Sequence, residues 1–303
     1  MVNGLGVMLP SSDVAGTGIA DLAGAAATLE DLGVGTVWAG DHLAFHTPVI
    51  DSCVALATAA AATTRVRLGF GVLLLALRPP AWAAKQITSL QVVSGGRVVL
   101  GIGVGGENPA EWSAAGVPAR ERGKRTDAVL RILPDMLSGA PVHVPPPYDL
   151  DVPALLPAGP VPPIWIGGRS DHALRRAAAF GTGWLGMWAD AGRVRRSRGI
   201  LSQAAEELGR PRPRIGLHVF VHVGDETAAR EDAAAFIWGQ YRMNIDVVAR
   251  YVALGQVGQV RDHLLELHEA GVDEFVLHPA TQRQDAQYDR LGELIDALGP
   301  ELG

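Results

Sequence analysis

The chain has 303 residues, 48% of them hydrophobic, with a formal net charge of -6 from 26 basic and 32 acidic side chains. That length and apolar content suit one α/β barrel or two small domains with a substantial core rather than a disordered chain. The dispersed, slightly acidic charge lacks the footprint of a protein that binds nucleic acid or an anionic membrane.

A single cysteine, Cys53, excludes an internal disulfide and a cysteine-only metal cluster, fits a reducing compartment, and reads as a buried small hydrophobe. The start, MVNGLGVMLP, has no basic n-region. The longest polar-poor run, 53–64, falls short of the roughly 20 residues that cross a bilayer. The expectation is a cytoplasmic protein with a small-molecule substrate and no membrane partner.

Val/Ile/Leu-rich segments alternate with helical stripes from end to end. Strands are predicted near 4–9, 34–39, 66–74, 97–104, 162–167, 183–187, 214–223 and 273–278. Between them lie stripes such as Leu22, Ala26 and Leu29, or Val260, Leu264 and Leu267. Eight strands with crossovers predict an α/β fold, a (β/α)8 TIM barrel in one domain over 1–303. A doubly wound open sheet would carry phosphate-binding glycines in its first turn, whereas the first strand here ends Leu9-Pro10-Ser11-Ser12-Asp13.

Two regions exceed the repeat. Residues 139–161 are proline-laden and form an insertion before strand five, a candidate lid. Residues 224–256, after strand seven, hold more helix than one crossover needs; Phe236, Trp238, Tyr241 and Met243 there either line a pocket or fill a core, the ordinary fate of aromatics at helical spacing.

In such barrels the chemistry sits where strands finish. Strand two ends Trp38-Ala39-Gly40-Asp41-His42, and a carboxylate beside an imidazole can orient it, making His42 a candidate general acid or base. Strand three carries Gly69 and Gly71, and strand four Gly101 and Gly103 followed by Gly105, Gly106, Glu107 and Asn108. Glycines are costly in a sheet unless another body approaches the main chain, here a flat ligand. Strand five ends Trp165-Ile166-Gly167-Gly168-Arg169-Ser170-Asp171 and runs into a helix, so glycine amides, a helix N-terminus and an arginine form a phosphate cradle. Strand six ends Gly186-Met187-Trp188, with Arg193, Arg195, Arg196 and Arg198 following. No metal motif is present; His42 and His46 are four apart in a proline-containing loop without a third ligand.

Several of these segments, in this order, resemble the bacterial luciferase-like monooxygenase superfamily, and within it the oxidoreductases that use the deazaflavin coenzyme F420. The resemblance runs from Gly4 to about Leu298. It rests on Thr36-Val37-Trp38-Ala39-Gly40-Asp41-His42, Leu68-Gly69-Phe70-Gly71-Val72, Arg78-Pro79-Pro80, Ser94-Gly95-Gly96-Arg97, Leu100-Gly101-Ile102-Gly103-Val104-Gly105, Pro163-Ile164-Trp165-Ile166-Gly167-Gly168 and Gly181-Thr182-Gly183-Trp184.

The resemblance implies a barrel whose strand ends hold F420, or FMN as the alternative cofactor, over a non-prolyl cis peptide at Gly71 and Val72. It implies catalytic roles for His42, Asp41 and Glu107. Cofactor contacts would come from Asp41, Gly71, Val72, Gly105, Gly106, Asn108, Gly167, Gly168, Arg169, Met187 and Trp188, and the implied reaction is hydride transfer to or from a small organic substrate. The rival readings are an FMN-dependent monooxygenase using O2 and a non-catalytic flavin-binding subunit. His46 stands where sugar-phosphate dehydrogenases of the family have tryptophan, which weighs against that substrate, and Gln91 replaces an aspartate at a position tied to folding. Phe45, His46, Trp112, Trp188 and Trp238 are candidate pocket walls, and apolar helices on the barrel exterior suggest a homodimer.

Overall fold

The computed structural model describes residues 2–106 and 108–302, so Glu107 lies outside the described residues. Eight parallel strands form the barrel: β1 (Val2–Met8), β2 (Val34–Ala39), β3 (Arg67–Phe70), β4 (Val98–Gly103), β5 (Ile164–Gly167), β6 (Gly183–Met187), β7 (Arg214–Val223) and β8 (Glu274–Pro279). Each pairs with its neighbours in sequence, and β8 closes on β1 with Leu5 opposite Phe275 and Val7 opposite Leu277. The helices are α1 (Leu22–Asp31), α2 (Ser52–Ala62), α3 (Pro80–Val93), α4 (Pro109–Ala114), α5 (Arg122–Leu130), α6 (Leu133–Leu137), α7 (Asp171–Phe180), α8 (Ala191–Glu207), α9 (Glu226–Tyr241), α10 (Ile245–Val248), α11 (Val257–Glu269) and α12 (Tyr288–Leu302).

Strand alternation sorts side chains into two layers. Outward residues such as Val7, Val37, Leu68, Leu100, Ile166 and Leu217 pack with the helices into one continuous core. Inward residues Met8, Trp38, Val99, Trp165, Leu185 and Val276 form a separate cluster inside the barrel. The inward glycines make room for two of these. A Cβ on Gly69 would stand 2.3 Å from the Trp38 ring and one on Gly6 2.3 Å from Trp38 Nε1, while Cβ atoms on Gly183 and Gly216 would stand 2.3 and 2.5 Å from Trp165. Both indoles are thus housed on facing glycines, and the lumen is packed rather than hollow.

The end of the barrel where the strands begin is closed by charge. Glu274, at the start of β8 and 4% exposed, accepts hydrogen bonds from Arg67 at 3.1 Å and Arg214 at 2.9 Å, which open β3 and β7.

The third strand is shorter than expected. It stops at Phe70, and only Leu73–Leu74 returns to pair with β4; the peptide between the two segments, Gly71-Val72, is cis. The insertion 139–161 is no lid over that mouth. It holds an antiparallel hairpin, Val142–Val144 with Leu150–Val152, whose apolar side chains join the outer core, and it hangs on α3 through Lys85 to the Leu156 carbonyl and Gln91 to Pro160 O at 2.9 Å. Gln91 also accepts from Val98 N–H at 3.0 Å, so its amide ties the insertion to the start of β4, at the end opposite the mouth.

The longer segment after β7 is the one that reaches the mouth. The last residues of β7 outrun the barrel and pair with a further strand, Val252–Gly255, and α9 leans over the strand ends, where Thr47 Oγ1 donates to Gln240 Oε1 at 3.0 Å. Phe236 is fully buried there with Phe220 and Trp188, Tyr241 and Met243 pack against that cluster, and Trp238 is 56% exposed. Cys53 is half-buried; burial, with Asp51 adding to it, pushes its thiol up to about 12, the behaviour of an inert packing residue. Among the described residues no helix is long and apolar enough to cross a membrane.

Candidate functional site

The strand ends meet at one face. Its floor is the Gly71-Val72 peptide: Gly71 N–H donates to Ala39 O at 2.8 Å, and a Cβ on Gly71 would touch the Trp38 ring at 3.4 Å and Met8 Sδ at 3.5 Å. Val72 turns inward across the neighbouring strands. Cβ atoms on Gly103 and Gly167 would stand 2.4 and 2.9 Å from its side chain, and one on Gly101 3.2 Å from it and 2.0 Å from Phe70 O. The glycines expected to admit a flat ligand at Gly69, Gly101 and Gly103 therefore admit the protein's own Trp38, Val72 and Phe70 carbonyl, and Val72 also fills the niche at Gly167, which was expected in the phosphate cradle. The main chain left partly open at the mouth is that of Gly71, Val72, Gly105 and Gly168.

Asp41 and His42, adjacent in sequence, serve different partners. The Asp41 carboxylate is buried and accepts from Ser52 Oγ at 2.8 Å, Leu74 N–H at 2.8 Å, and both terminal nitrogens of Arg78 at 2.5 and 2.8 Å. Burial opposes the Arg78 charge, but the hydrogen bonds and charge of Asp41 outweigh it and hold the guanidinium above its ordinary pKa. Asp41 is thus a brace that pins the chain just after Gly71-Val72. The expectation that it orients His42 is corrected.

The carboxylate at His42 is Glu111, whose Oε2 lies 3.3 Å from Nδ1. Glu111 is fully buried, and its Oε1 has no hydrogen-bond partner among the described residues. Phe45 stacks on the imidazole at 3.9 Å between centroids and 18° between planes, and Tyr241 meets Phe45 edge-on at 5.8 Å. With Nδ1 donating to the carboxylate, Nε2 is the ring nitrogen that carries the lone pair.

Sequence reasoning missed Glu111, although a signal was present. Asn108 and Pro109 mark a helix start, which puts Glu111 in the first turn of α4, at the strand-four end of the barrel. Asn108 itself is taken up by structure: its Oδ1 accepts Ala110 N–H at 3.1 Å and its Nδ2 donates to Ala44 O at 3.0 Å, tying this loop to the one that carries His42. Gly105 and Gly106 adopt φ of 59° and 124°, left-handed geometry that a side chain would strain, and Gly105 rests against Trp112 and Leu74. Trp112 is buried against Gly105, and His46 is exposed.

Beside this centre, at the ends of β5 and β6, lies a cavity of about 430 Å³ lined by Arg169, Arg193, Arg250, Met187, Trp188 and Tyr251 among others. Gly168 turns there with φ of 132°, its carbonyl fixed by Trp184 Nε1 at 2.8 Å, and Ser170 caps α7 by accepting Ala173 N–H at 3.2 Å. Arg193 donates to the Arg169 carbonyl, and Arg250 lies 3.8 Å from Asp190, the one acid lining the cavity among the described residues. Among the described residues the lining sets three guanidinium groups against one carboxylate, at a helix N-terminus, a balance that suits an anion. Trp188, with φ of 55°, stacks on Phe220 at 4.5 Å and separates this cavity from the β7 wall. Of the residues expected to contact a cofactor, the structure gathers Arg169, Met187 and Trp188 around the arginine-lined cavity, with Gly168 at its turn, and Gly71 and Val72 at the mouth.

That wall holds a second polar group the sequence did not announce. His218 and His278, inward on β7 and β8, lie 3.0 Å apart between Nε2 and Nδ1, and burial pushes the His218 imidazole down to about 4. Burial, and then the His218 charge, hold His278 well below its ordinary value.

Comparison with known proteins agrees with this architecture. An uncharacterized protein of Mycobacterium tuberculosis strain H37Rv is 38% identical over 174 residues, which are 57% of this chain and 59% of that protein. The chain thus matches about three fifths of that relative's length. Two solved structures superpose over nearly all of both chains. One is an F420-dependent secondary alcohol dehydrogenase in complex with an F420-acetone adduct, with TM-score 0.83, 17% identity, 98% of this chain and 99% of that chain. The other is the oxygenating constituent of 3,6-diketocamphane monooxygenase of Pseudomonas putida in complex with FMN, with TM-score 0.79, 17% identity, 100% of this chain and 98% of that chain. At those identities the likeness is one of fold. The model of the luciferase-like monooxygenases matches residues 5–247, four fifths of the sequence, and the chain belongs to that family.

Proposed function

We propose that the barrel mouth binds a flavin-type ring with a phosphorylated tail, F420 in the first reading and FMN in the second, and that the chain is an oxidoreductase acting on a small organic substrate. The observation that carries this is the arginine-lined cavity at the ends of β5 and β6, beside a mouth floored by Gly71-Val72. Its donor set suits a phosphate, and the partly open main chain of Gly71 and Val72 suits a planar ring. When bound, such a group supplies the hydride or electron-pair chemistry.

The protein's own part is positioning and proton transfer. Asp41 and Arg78 fix the segment after Gly71-Val72, and Arg169, Arg193 and Arg250 attract the tail. Glu111 and Phe45 hold the His42 ring in one orientation, so that Nε2 can exchange a proton with substrate oxygen as its charge changes. F420 ranks first because the segments that resemble the deazaflavin enzymes extend over nearly the whole chain; FMN is kept because the same fold holds it in a structurally similar protein.

The test is a fluorescence titration of the full chain with F420 and with FMN, repeated on Arg193→Ala. Saturable F420 binding that weakens about tenfold in the variant, the loss of one charge-assisted hydrogen bond, is expected. FMN binding alone would transfer the assignment to the monooxygenase reading, and binding of neither would overturn both.

A further inference from the structure

The imidazole pair of β7 and β8 stands at the mouth with no part yet in binding or proton transfer. His218 pairs across the sheet with Val276 of β8 and Met187 of β6. Beneath it the lumen is full: Gly216, two residues earlier on the same face, is filled by Trp165, and Leu185 and Val276 pack in the same cluster as that indole. His218 nevertheless keeps 8% exposure, which opens toward the mouth. Register partners in a sheet share a face, so Met187 stands beside His218, and Met187 also lines the arginine cavity.

The hydrogen bonds of the pair decide which nitrogen is free and what it carries. The Gln284 amide nitrogen lies 3.2 Å from His278 Nε2 and can only donate, so that ring nitrogen holds the lone pair. Burial keeps both imidazoles neutral, which puts the His278 proton on Nδ1, 3.0 Å from His218 Nε2. His218 Nε2 accepts it, and the remaining proton of the pair sits on His218 Nδ1. That nitrogen has no hydrogen-bond partner among the described residues. Unlike the orphaned Nδ1 of His222 and Nε2 of His263, it is not sealed from solvent. The fold thus aims a neutral N–H donor into the mouth beside the arginine cavity, with the ring held at its other nitrogen by His278.

We infer that His218 Nδ1 donates a hydrogen bond to an uncharged oxygen, carbonyl or hydroxyl, on the body of the ligand whose phosphate the arginine cavity takes. The inference rests on the reading of the mouth given above. Guanidinium groups hold a tail by charge, whereas a directional donor on the β7 wall fixes how the rest of the molecule turns as it passes Met187 toward Gly71-Val72.

The experiment is a fluorescence titration of the full chain with F420 and with FMN, on the parent, His218→Gln and His218→Asn, together with 15N NMR of the cofactor-free parent labelled at histidine. The Gln amide reaches the position of Nε2, so it keeps the contact to His278 and removes the donor at Nδ1; the shorter Asn amide does the reverse. His218→Gln should therefore bind about fivefold more weakly, the loss of one neutral hydrogen bond, at a near-parental Tm. His218→Asn should bind within about twofold of the parent while its Tm falls, because His278 loses its buried partner. A purely structural histidine gives the opposite order. The NMR spectrum should place the His218 proton on Nδ1. Parental affinity in His218→Gln, weaker binding by His218→Asn than by His218→Gln, or a His218 proton on Nε2, as a turned-over Gln284 amide would give, each overturns the inference. Should His218→Asn fail to fold, the affinity of His218→Gln and the proton position decide. Binding of neither F420 nor FMN by the parent removes the reading of the mouth and this contact with it, whereas binding that is equally tight in His218→Gln removes only the contact.

Discussion

Replacing Asp41 by asparagine separates a structural brace from a group at the reaction centre. The Asp41 side chain is 1% exposed and Arg78 17%, and two of the four hydrogen bonds to the carboxylate come from that guanidinium. Removing one partner of such a buried pair strands the other charge and costs about 3–5 kcal/mol. Asp51 keeps a contact to Arg78 at 2.9 Å, but it is 44% exposed, so it offsets only part of the loss and places the expected value near the lower bound, about 3 kcal/mol. For a chain of this size that corresponds to a Tm lowered by roughly 5 °C. Urea unfolding followed by tryptophan fluorescence and far-UV circular dichroism measures it, and a cycle with Arg78→Met should give a coupling energy above about 1 kcal/mol. A loss below about 1 kcal/mol, or abolished turnover in a variant as stable as the parent, would refute the brace and return Asp41 to the chemistry.

Glu111→Gln should lower turnover by about 10- to 100-fold with cofactor affinity nearly unchanged, in steady-state kinetics of the loaded protein; unaltered turnover removes Glu111 as the positioning residue of His42. Stability should fall as pH drops below about 6.5, because the unfolded chain protonates His218 and His278 while the fold keeps them neutral. For His218 alone the loss between pH 6.5 and 5 is about 1.5 kcal/mol, read by urea unfolding at the two pH values, and His218→Gln should flatten that dependence. Gly69→Ala should destabilise by about 1–3 kcal/mol through its clash with Trp38, and Trp38→Phe in the same chain should recover part of the loss; a wild-type midpoint for the single variant would contradict the packing.

The barrel was legible because each strand is an apolar run buried on both faces, and β2, β6 and β7 have the residue limits read from the sequence. The third strand was overextended because Leu68 and Leu73 look alike in a string, while the cis peptide between them leaves no trace in composition. Glycines marked close approach correctly, yet the approaching body was mostly internal. Whether Gly69 faces a ligand or Trp38 depends on the register across β2 and β3, which pairing alone decides. The pairing of His42 was half visible for a similar reason. Asp41 lies next to His42 in the chain, but consecutive residues at a strand end point apart, and the true partner arrives from 69 residues away. The open nitrogen of His218 could not be read at all, since it is free only by what the fold fails to offer it.

The two indoles inside the barrel impose an order on change. Trp165 occupies the niches of both Gly183 and Gly216, which sit on different strands, so neither glycine can gain a side chain while the tryptophan stands. A smaller residue at 165 would free both niches at once and lower the chamber floor toward the strand starts. Any lineage or engineered series that deepens this chamber must therefore shrink the tryptophan first and refill the glycines afterwards; the reverse path passes through a clash at every step.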